Sequence, residues 1–410
     1  MEVEKYKKEI YKCIHCKTCR FAYSDEPDKA GYGDYTGIIH GCLAGTYNLD
    51  WEAYYNSGKM WILRGILEGD VPITGDLIDI FYMCTECGNC QLQCENEIPT
   101  VEIFETFRAD LVRSGVEIHP KHKRFTEFAI KLNNPYGEPH EKRTEWFDGE
   151  KNRRSELAYF VGCTSSYRLP HVAKAVAKLL NTAGLEFLVS TEEVCCGSPL
   201  LRVGQREVAL SLAKRNVENF KAAGVKRMLF SCAGCYRTFT VDYPKLLGNQ
   251  PFETVSVMEM IKELMDKGVI KPVKSMDMTV TWHDPCHFGR HIYLWKKGSG
   301  LSKGELRDFA KKWFDIPREV LYSIPGLKVV EMYRNRENSW CCGAGGGVKA
   351  AYPEMALWAA YERIKEAKEA GAEAIVTSCP FCLRNLSDAA REFKSDVKII
   401  DLTELVLQTL

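Results

Sequence analysis

Eighteen of the 410 residues are cysteine, and their spacing sorts them by chemistry. Cys84, Cys87, Cys90 and Cys94 follow a 2-2-3 spacing, in which three closely spaced thiolates hold three irons of a 4Fe-4S cube and the fourth reaches a second cluster. Structural zinc sites use two knuckles of two cysteines, so a triplet argues for iron–sulfur over zinc. Cys13, Cys16 and Cys19 form a second triplet, for which Cys42 is the remaining partner. The crossed rule then gives one cluster Cys13, Cys16, Cys19 and Cys94, and the other Cys84, Cys87, Cys90 and Cys42. Cys42 follows its triplet far later than the usual motif would place it, and neither Cys42 nor Cys94 precedes proline. A buried free thiol is the alternative reading for Cys42.

The remaining ten cysteines include two adjacent pairs, Cys195-Cys196 in "EEVCCGSP" and Cys341-Cys342 in "SWCCGAGG". Neighbouring cysteines make a strained disulfide, so another partner for these sulfurs is required. Each pair belongs to a set of five: Cys163, Cys195, Cys196, Cys232 and Cys235, then Cys286, Cys341, Cys342, Cys379 and Cys382. Five thiolates exceed the needs of one cubane or one tetrahedral zinc. Two bystanders per set is the plain reading, yet the full set occurs twice and no cysteine of the chain is left over.

The elements that must position these sulfurs are themselves repeated. "VENFKAAGVKRMLFSCAGCYRTF" aligns without gaps to "IKEAKEAGAEAIVTSCPFCLRNL", which predicts a duplicated domain. In the first copy "LAYFV", "LEFLV" and "RMLF" read as strands separated by two helices, a βαβαβ order that predicts a parallel α/β sheet covered by helices. The five cysteines then follow strand carboxyl ends, the edge at which open α/β sheets bind ligands. The first 115 residues read as an all-α ferredoxin-like domain with its cysteines between helices. Residues 116–155 contain no cysteine and read as a charged linker with at most one helix. The copies are expected at 156–272 and 273–410, related by a pseudo-twofold.

Formal charge is zero and the sequence pI is near 7.1, which gives no reason to expect nucleic acid or an anionic surface as partner. The opening "MEVEKYKKEIYKC" lacks a signal-peptide core, and no stretch approaches the roughly 20 apolar residues of a membrane span. The expected location is cytoplasmic, where clustered cysteines mean metal or redox chemistry more often than disulfides.

Taken together, "YFVGCTSSYR", "EEVCCGSP", "FSCAGCYRT", "HDPCHFGRH", "WCCGAGGG" and "TSCPFC" resemble the duplicated cysteine-rich CCG domains of heterodisulfide reductase. The helical two-cluster module in front is similar to the layout of that enzyme's D-type subunit, and the resemblance covers essentially the whole chain. It implies two cubane 4Fe-4S clusters on the first eight cysteines and two noncubane 4Fe-4S clusters on the last ten, with no flavin or haem. It implies cleavage of the mixed disulfide of coenzyme M and coenzyme B, an anaerobe's step in methanogenesis, by electrons relayed singly through the cubanes. The implied partners are a small thiol or disulfide substrate and a redox subunit of a hetero-oligomeric complex. That donor is a membrane cytochrome b, which would hold the chain at the inner face of the membrane, or a soluble flavoprotein or hydrogenase-type protein. The wider family also implies an alternative, an electron-transfer subunit of a flavin-dependent glycolate, lactate or glycerol-3-phosphate dehydrogenase or of thiol:fumarate reductase. A zinc-stabilised scaffold is the non-enzymatic alternative.

Several other residues are candidates. His287 is expected to serve a leaving thiolate, with His283, Asp284 and Arg290 as possible hydrogen-bond donors or proton carriers around it. Arg168 and Arg237 are set against anionic substrate groups on one side and ordinary surface salt bridges on the other. His119 and His122 are expected to be solvated. The segment between Cys286 and Cys341, 54 residues against 31 between Cys163 and Cys195, is a candidate lid or docking element. The glycines of "GAGGG" lack dinucleotide-binding spacing and are expected to allow close backbone packing.

Overall fold

Each copy of the repeat builds a parallel sheet, and the two sheets share one apolar core. The computed structural model describes residues 1–23 and 38–410. In the first copy β3 (Leu157–Phe160), β4 (Arg227–Phe230) and β5 (Glu253–Ser256) pair in that order. In the second, β6 (Met278–Trp282), β7 (Leu327–Val330), β8 (Ala374–Thr377) and β9 (Lys398–Asp401) pair in the order β7-β6-β8-β9. The strands are short apolar runs, buried by helices on their faces, as parallel sheets require.

The expected strand "LEFLV" is reduced to a single bridge between Leu188 and Ala158. Beyond it the backbone turns at Thr191, whose amide donates to Asn152 Oδ1 at 2.9 Å, so pairing stops after one residue. Its counterpart β7 forms a full strand against β6. Each copy also continues past the βαβαβ reading with a further strand and helix. Ser256 and Glu259 close a capping box on the helix Val257–Asp266, and Asp401 caps the helix Leu402–Thr409.

The N-terminal part is mostly helical, built around Asn56–Glu68 and Thr100–Arg113, whose apolar faces meet through Met60, Leu63, Phe104 and Phe107. An all-α domain is nevertheless not what the described residues show. The β-prone tripeptides Phe21–Tyr23 (β1) and Ile38–His40 (β2) form a short antiparallel pair. No helix among the described residues is long and apolar enough to cross a membrane.

The interval 116–155 packs as structure. His119 caps the helix Pro120–Leu132, and His122, Phe125 and Ala129 are buried. His122, expected in solvent, is fully buried with its Nε2 3.0 Å from the Gly347 carbonyl. The long segment after Cys286 forms helices Arg290–Lys297 and Lys303–Tyr322. The first packs on the short helix Asn89–Leu92 and the second on Val257–Asp266, so the segment clamps the N-terminal part to both copies.

Candidate active site

The ten cysteines of the two copies all line one cavity of about 520 Å³. Strand ends deliver them: Cys163 follows β3, Cys232 follows β4, Cys286 follows β6 and Cys379 follows β8. At the adjacent pairs the turn is made by glycine. Gly197 and Gly343 have φ of 86° and 85°, and a Cβ on Gly343 would lie 2.7 Å from Ala359 Cβ, so no other residue fits there. The amides of these glycines point back at Cys195 and Cys341 Sγ, at 3.4 and 3.5 Å.

The thiols form a continuous series. In the first copy hydrogen-bonding contacts run from Cys163 to Cys195, Cys196, Cys235 and Cys232. In the second they run from Cys286 to Cys341, Cys342, Cys382 and Cys379. Cys232 and Cys379 contact each other and join the two sets. Hydrogen bonds from Cys195 and Cys235 bring Cys196 down to about 6, and neighbouring thiols likewise hold Cys342 and Cys379 well below the ordinary thiol value. Cys195 and burial together push Cys163 well up.

The first eight cysteines gather in two groups. Cys13 is influenced by Cys19, Cys94 and Cys16. Cys42, Cys84, Cys87 and Cys90 line a second cavity of about 30 Å³, and burial pushes the Cys42 thiol up to about 12. Cys90 neighbours Cys19 of the first group, and Cys87 contacts Cys341 of the second copy. Cys16 is exposed. Thiols gathered four or five together, most of them buried or half-buried and none in a disulfide, are costly to ionise unless a cation accepts them. Soft donors in those numbers fit iron–sulfur clusters.

His287 is the candidate histidine that reaches the large cavity. Burial holds it neutral, near 4, and its Nε2 has no partner. The other three candidates of "HDPCHFGRH" do not line the cavity, although a ring nitrogen of His283 lies within 4.8 Å of Cys342 and Cys382 Sγ. His283 is buried against Arg363, and Asp284 is locked in a two-point ion pair with Arg318 at 2.9 and 3.0 Å. Arg290 donates to the carbonyls of Cys87, Glu337 and Ser339. Arg168 pairs with Glu138, while Arg237 is buried against Glu105 and Asp242, so neither faces the cavity. The glycine run packs closely, as expected: a Cβ on Gly346 would lie 2.4 Å from the Cys84 carbonyl oxygen.

The cations of the cavity are ones that sequence reasoning missed. Lys121, Arg124, Arg202, Lys349 and Arg384 line it, and no aspartate or glutamate does. Arg202 is paired with Glu105 and Asp242, and Lys349 with Asp388. Lys121, Arg124 and Arg384 have no carboxylate partner among the described residues. Phe125, Phe128, Tyr136 and Phe381 complete an apolar wall beside them. The sole sequence signal was the place of Arg384, two residues after Cys382. A further missed group is Arg143, which is buried, pairs with Glu193 at 2.6 Å and donates to Cys163 Sγ at 3.3 Å.

Residues 157–240 and 280–387 match the cysteine-rich domain family, CCG. Over 373 residues the chain is 40% identical to the D-type subunit of dihydromethanophenazine:CoB–CoM heterodisulfide reductase from Methanosarcina acetivorans, covering 88% of this chain and 86% of that one. It is 38% identical over 416 residues to the same subunit from Methanosarcina barkeri, covering 98% and 94%. It is also 31% identical to the B-type subunit of fumarate reductase (CoM/CoB) from Methanothermobacter marburgensis, over 81% of this chain and 62% of that one. A hypothetical protein of Helicobacter pylori shares the fold, with a TM-score of 0.53 at 12% identity over 86% of this chain and 66% of that one.

Proposed function

The chain belongs to the family of heterodisulfide reductase D-type subunits, which are iron–sulfur oxidoreductases, and from that premise we propose that it reduces a small disulfide bearing acidic groups. In this reading Cys13, Cys16, Cys19 and Cys94 hold one cubane, and Cys42, Cys84, Cys87 and Cys90 hold the other. Each five-cysteine set holds a noncubane cluster. When bound, these clusters supply single-electron transfer and iron sites with affinity for sulfur.

One observation carries the proposal: all ten cysteines of the two copies line one cavity, and the thiol series joins them through Cys232 and Cys379. A disulfide placed there has one sulfur towards each set, which suits a reaction that consumes two electrons and two protons and yields two thiols. The chain's own residues account for the rest. Lys121, Arg124 and Arg384 attract an anionic group at the cavity wall, and the aromatic side chains beside them exclude water from the sulfurs. His287, neutral and unpartnered at Nε2, is placed to hold a proton for a departing thiolate. The exposed thiol of Cys16 marks where a redox partner delivers electrons.

The test is oxidation of a reduced viologen dye by the anaerobically iron-loaded chain with the coenzyme M–coenzyme B heterodisulfide as acceptor. Turnover is expected with this chain alone. A fully loaded chain that turns over with no disulfide, while a hydroxy-acid dehydrogenase copurifies, would make it an electron-transfer subunit instead.

A further inference from the structure

Lys59 lies on the helix Asn56–Glu68 and is 1% exposed. It has no carboxylate partner among the described residues. Its Nζ donates to the Tyr54 carbonyl and sits 5.9 Å from the centroid of the Phe104 ring. Phe104 also lines the small cavity shared by Cys42, Cys84, Cys87 and Cys90. After burial, Lys59 is the foremost influence on both Cys42 and Cys84. A second buried cation nearby, Arg108, donates to the carbonyls of Phe81, Cys84, Arg202 and Gly346 and lies 3.0 Å from Glu86, whose carboxyl burial pushes up to about 8.

A buried ammonium without an anion is costly, and a carbonyl oxygen and an aromatic face compensate it only in part. The compensating charge has to come from the four sulfurs once they are thiolates. We propose that Lys59 raises the reduction potential of the centre held by Cys42, Cys84, Cys87 and Cys90. This rests on the reading that these four cysteines hold a cluster. Adding an electron adds negative charge beside the ammonium, so the reduced state is the one Lys59 favours.

The experiment is a redox titration of the iron-loaded full chain followed by electron paramagnetic resonance, comparing wild type with Lys59→Met, Lys59→Gln and Lys59→Arg. In Lys59→Met the reduced-to-oxidised ratio of one cubane at the wild-type midpoint should fall about tenfold, equivalent to about 59 mV for one electron. The other cubane should hold its midpoint, and Lys59→Arg should stay near wild type. Lys59→Gln takes the place of Lys59→Met if the latter does not fold. Both cubanes at unchanged midpoints in the neutral variants would overturn the proposal. A wild-type chain that binds no iron at these four cysteines would instead overturn the cluster reading beneath it.

Discussion

The thiols of Cys87 and Cys341 are hydrogen-bonding neighbours, although one belongs to the N-terminal helical part and the other to the second cysteine-rich copy. What holds them together is backbone seized by a buried side chain. Arg290 donates to the Cys87 carbonyl at 3.0 Å and to the carbonyls of Glu337 and Ser339, while His291 lies 2.9 Å from the Glu86 carbonyl. Both residues lie at the start of the helix Arg290–Lys297, which follows Cys286 closely in the chain.

Arg290→Ala should therefore loosen the junction first. Three buried carbonyls lose a charged donor, a cost of about 3 kcal/mol or more. Thermal unfolding of the iron-loaded chain should show a lower midpoint, and Arg290→Lys should not restore it, because an ammonium cannot serve three carbonyls in a guanidinium's plane. An unchanged midpoint for Arg290→Ala would remove Arg290 from this role.

Substrate recognition is tested separately at the wall. Arg124 faces the cavity with no carboxylate to satisfy it, so a charged hydrogen bond to the substrate of about 1.5–3 kcal/mol is available. Arg124→Ala should raise KM for an acidic disulfide about 10- to 100-fold and leave KM for a neutral disulfide unchanged. Equal effects on both substrates would point to a structural role.

The chemistry of this chain was more legible than its walls. Eighteen cysteines announce their groupings by spacing, and Cys42, Cys84, Cys87 and Cys90 line one small cavity. The charged run "HPKHKRFTEF" concealed its role because lysine, arginine and histidine have the same composition in a solvated linker and in the lining of a polar cavity. Only packing distinguishes Lys121 and Arg124, at the cavity, from His122, buried against Gly347. Lys59 was hidden for the opposite reason, since one lysine on an amphipathic helix reads as its wet face. The histidine-rich "HDPCHFGRH" advertised four functional groups; Asp284 is held by Arg318, Arg290 holds backbone, and His283 packs against Arg363 beside Cys342 and Cys382.

Asp284 and His287 should accordingly behave as opposites. Burial raises the Asp284 carboxyl, but Arg318 and the Arg336 amide outweigh it and hold it below the ordinary range. Asp284→Asn leaves Arg318 with half its compensation and should cost about 3 kcal/mol of stability, read as a lower denaturation midpoint. His287→Gln should leave that midpoint in place and lower kcat about 100-fold. If Asp284→Asn cut kcat in a chain of native stability, Asp284 would have to be moved into the reacting site.

His122 gives the chain a pH dependence of known sign. Burial brings its imidazole from 6.5 to about 4, with the Gly347 carbonyl favouring the charged form only weakly. The unfolded chain thus takes up a proton below pH 6.5 that the folded chain refuses until about pH 4. The contribution is fully present above pH 6.5 and is lost as the pH falls, about 1.4 kcal/mol of it by pH 5.5. His122→Gln keeps a donor for Gly347 and cannot titrate. Urea denaturation of both chains between pH 7.5 and 5.5 should show the wild type losing about 1.4 kcal/mol relative to the variant, while other buried histidines such as His283 and His287 contribute equally to both. Parallel profiles for the two chains would mean that His122 is solvated after all, and that the helix Pro120–Leu132 does not close the cavity wall.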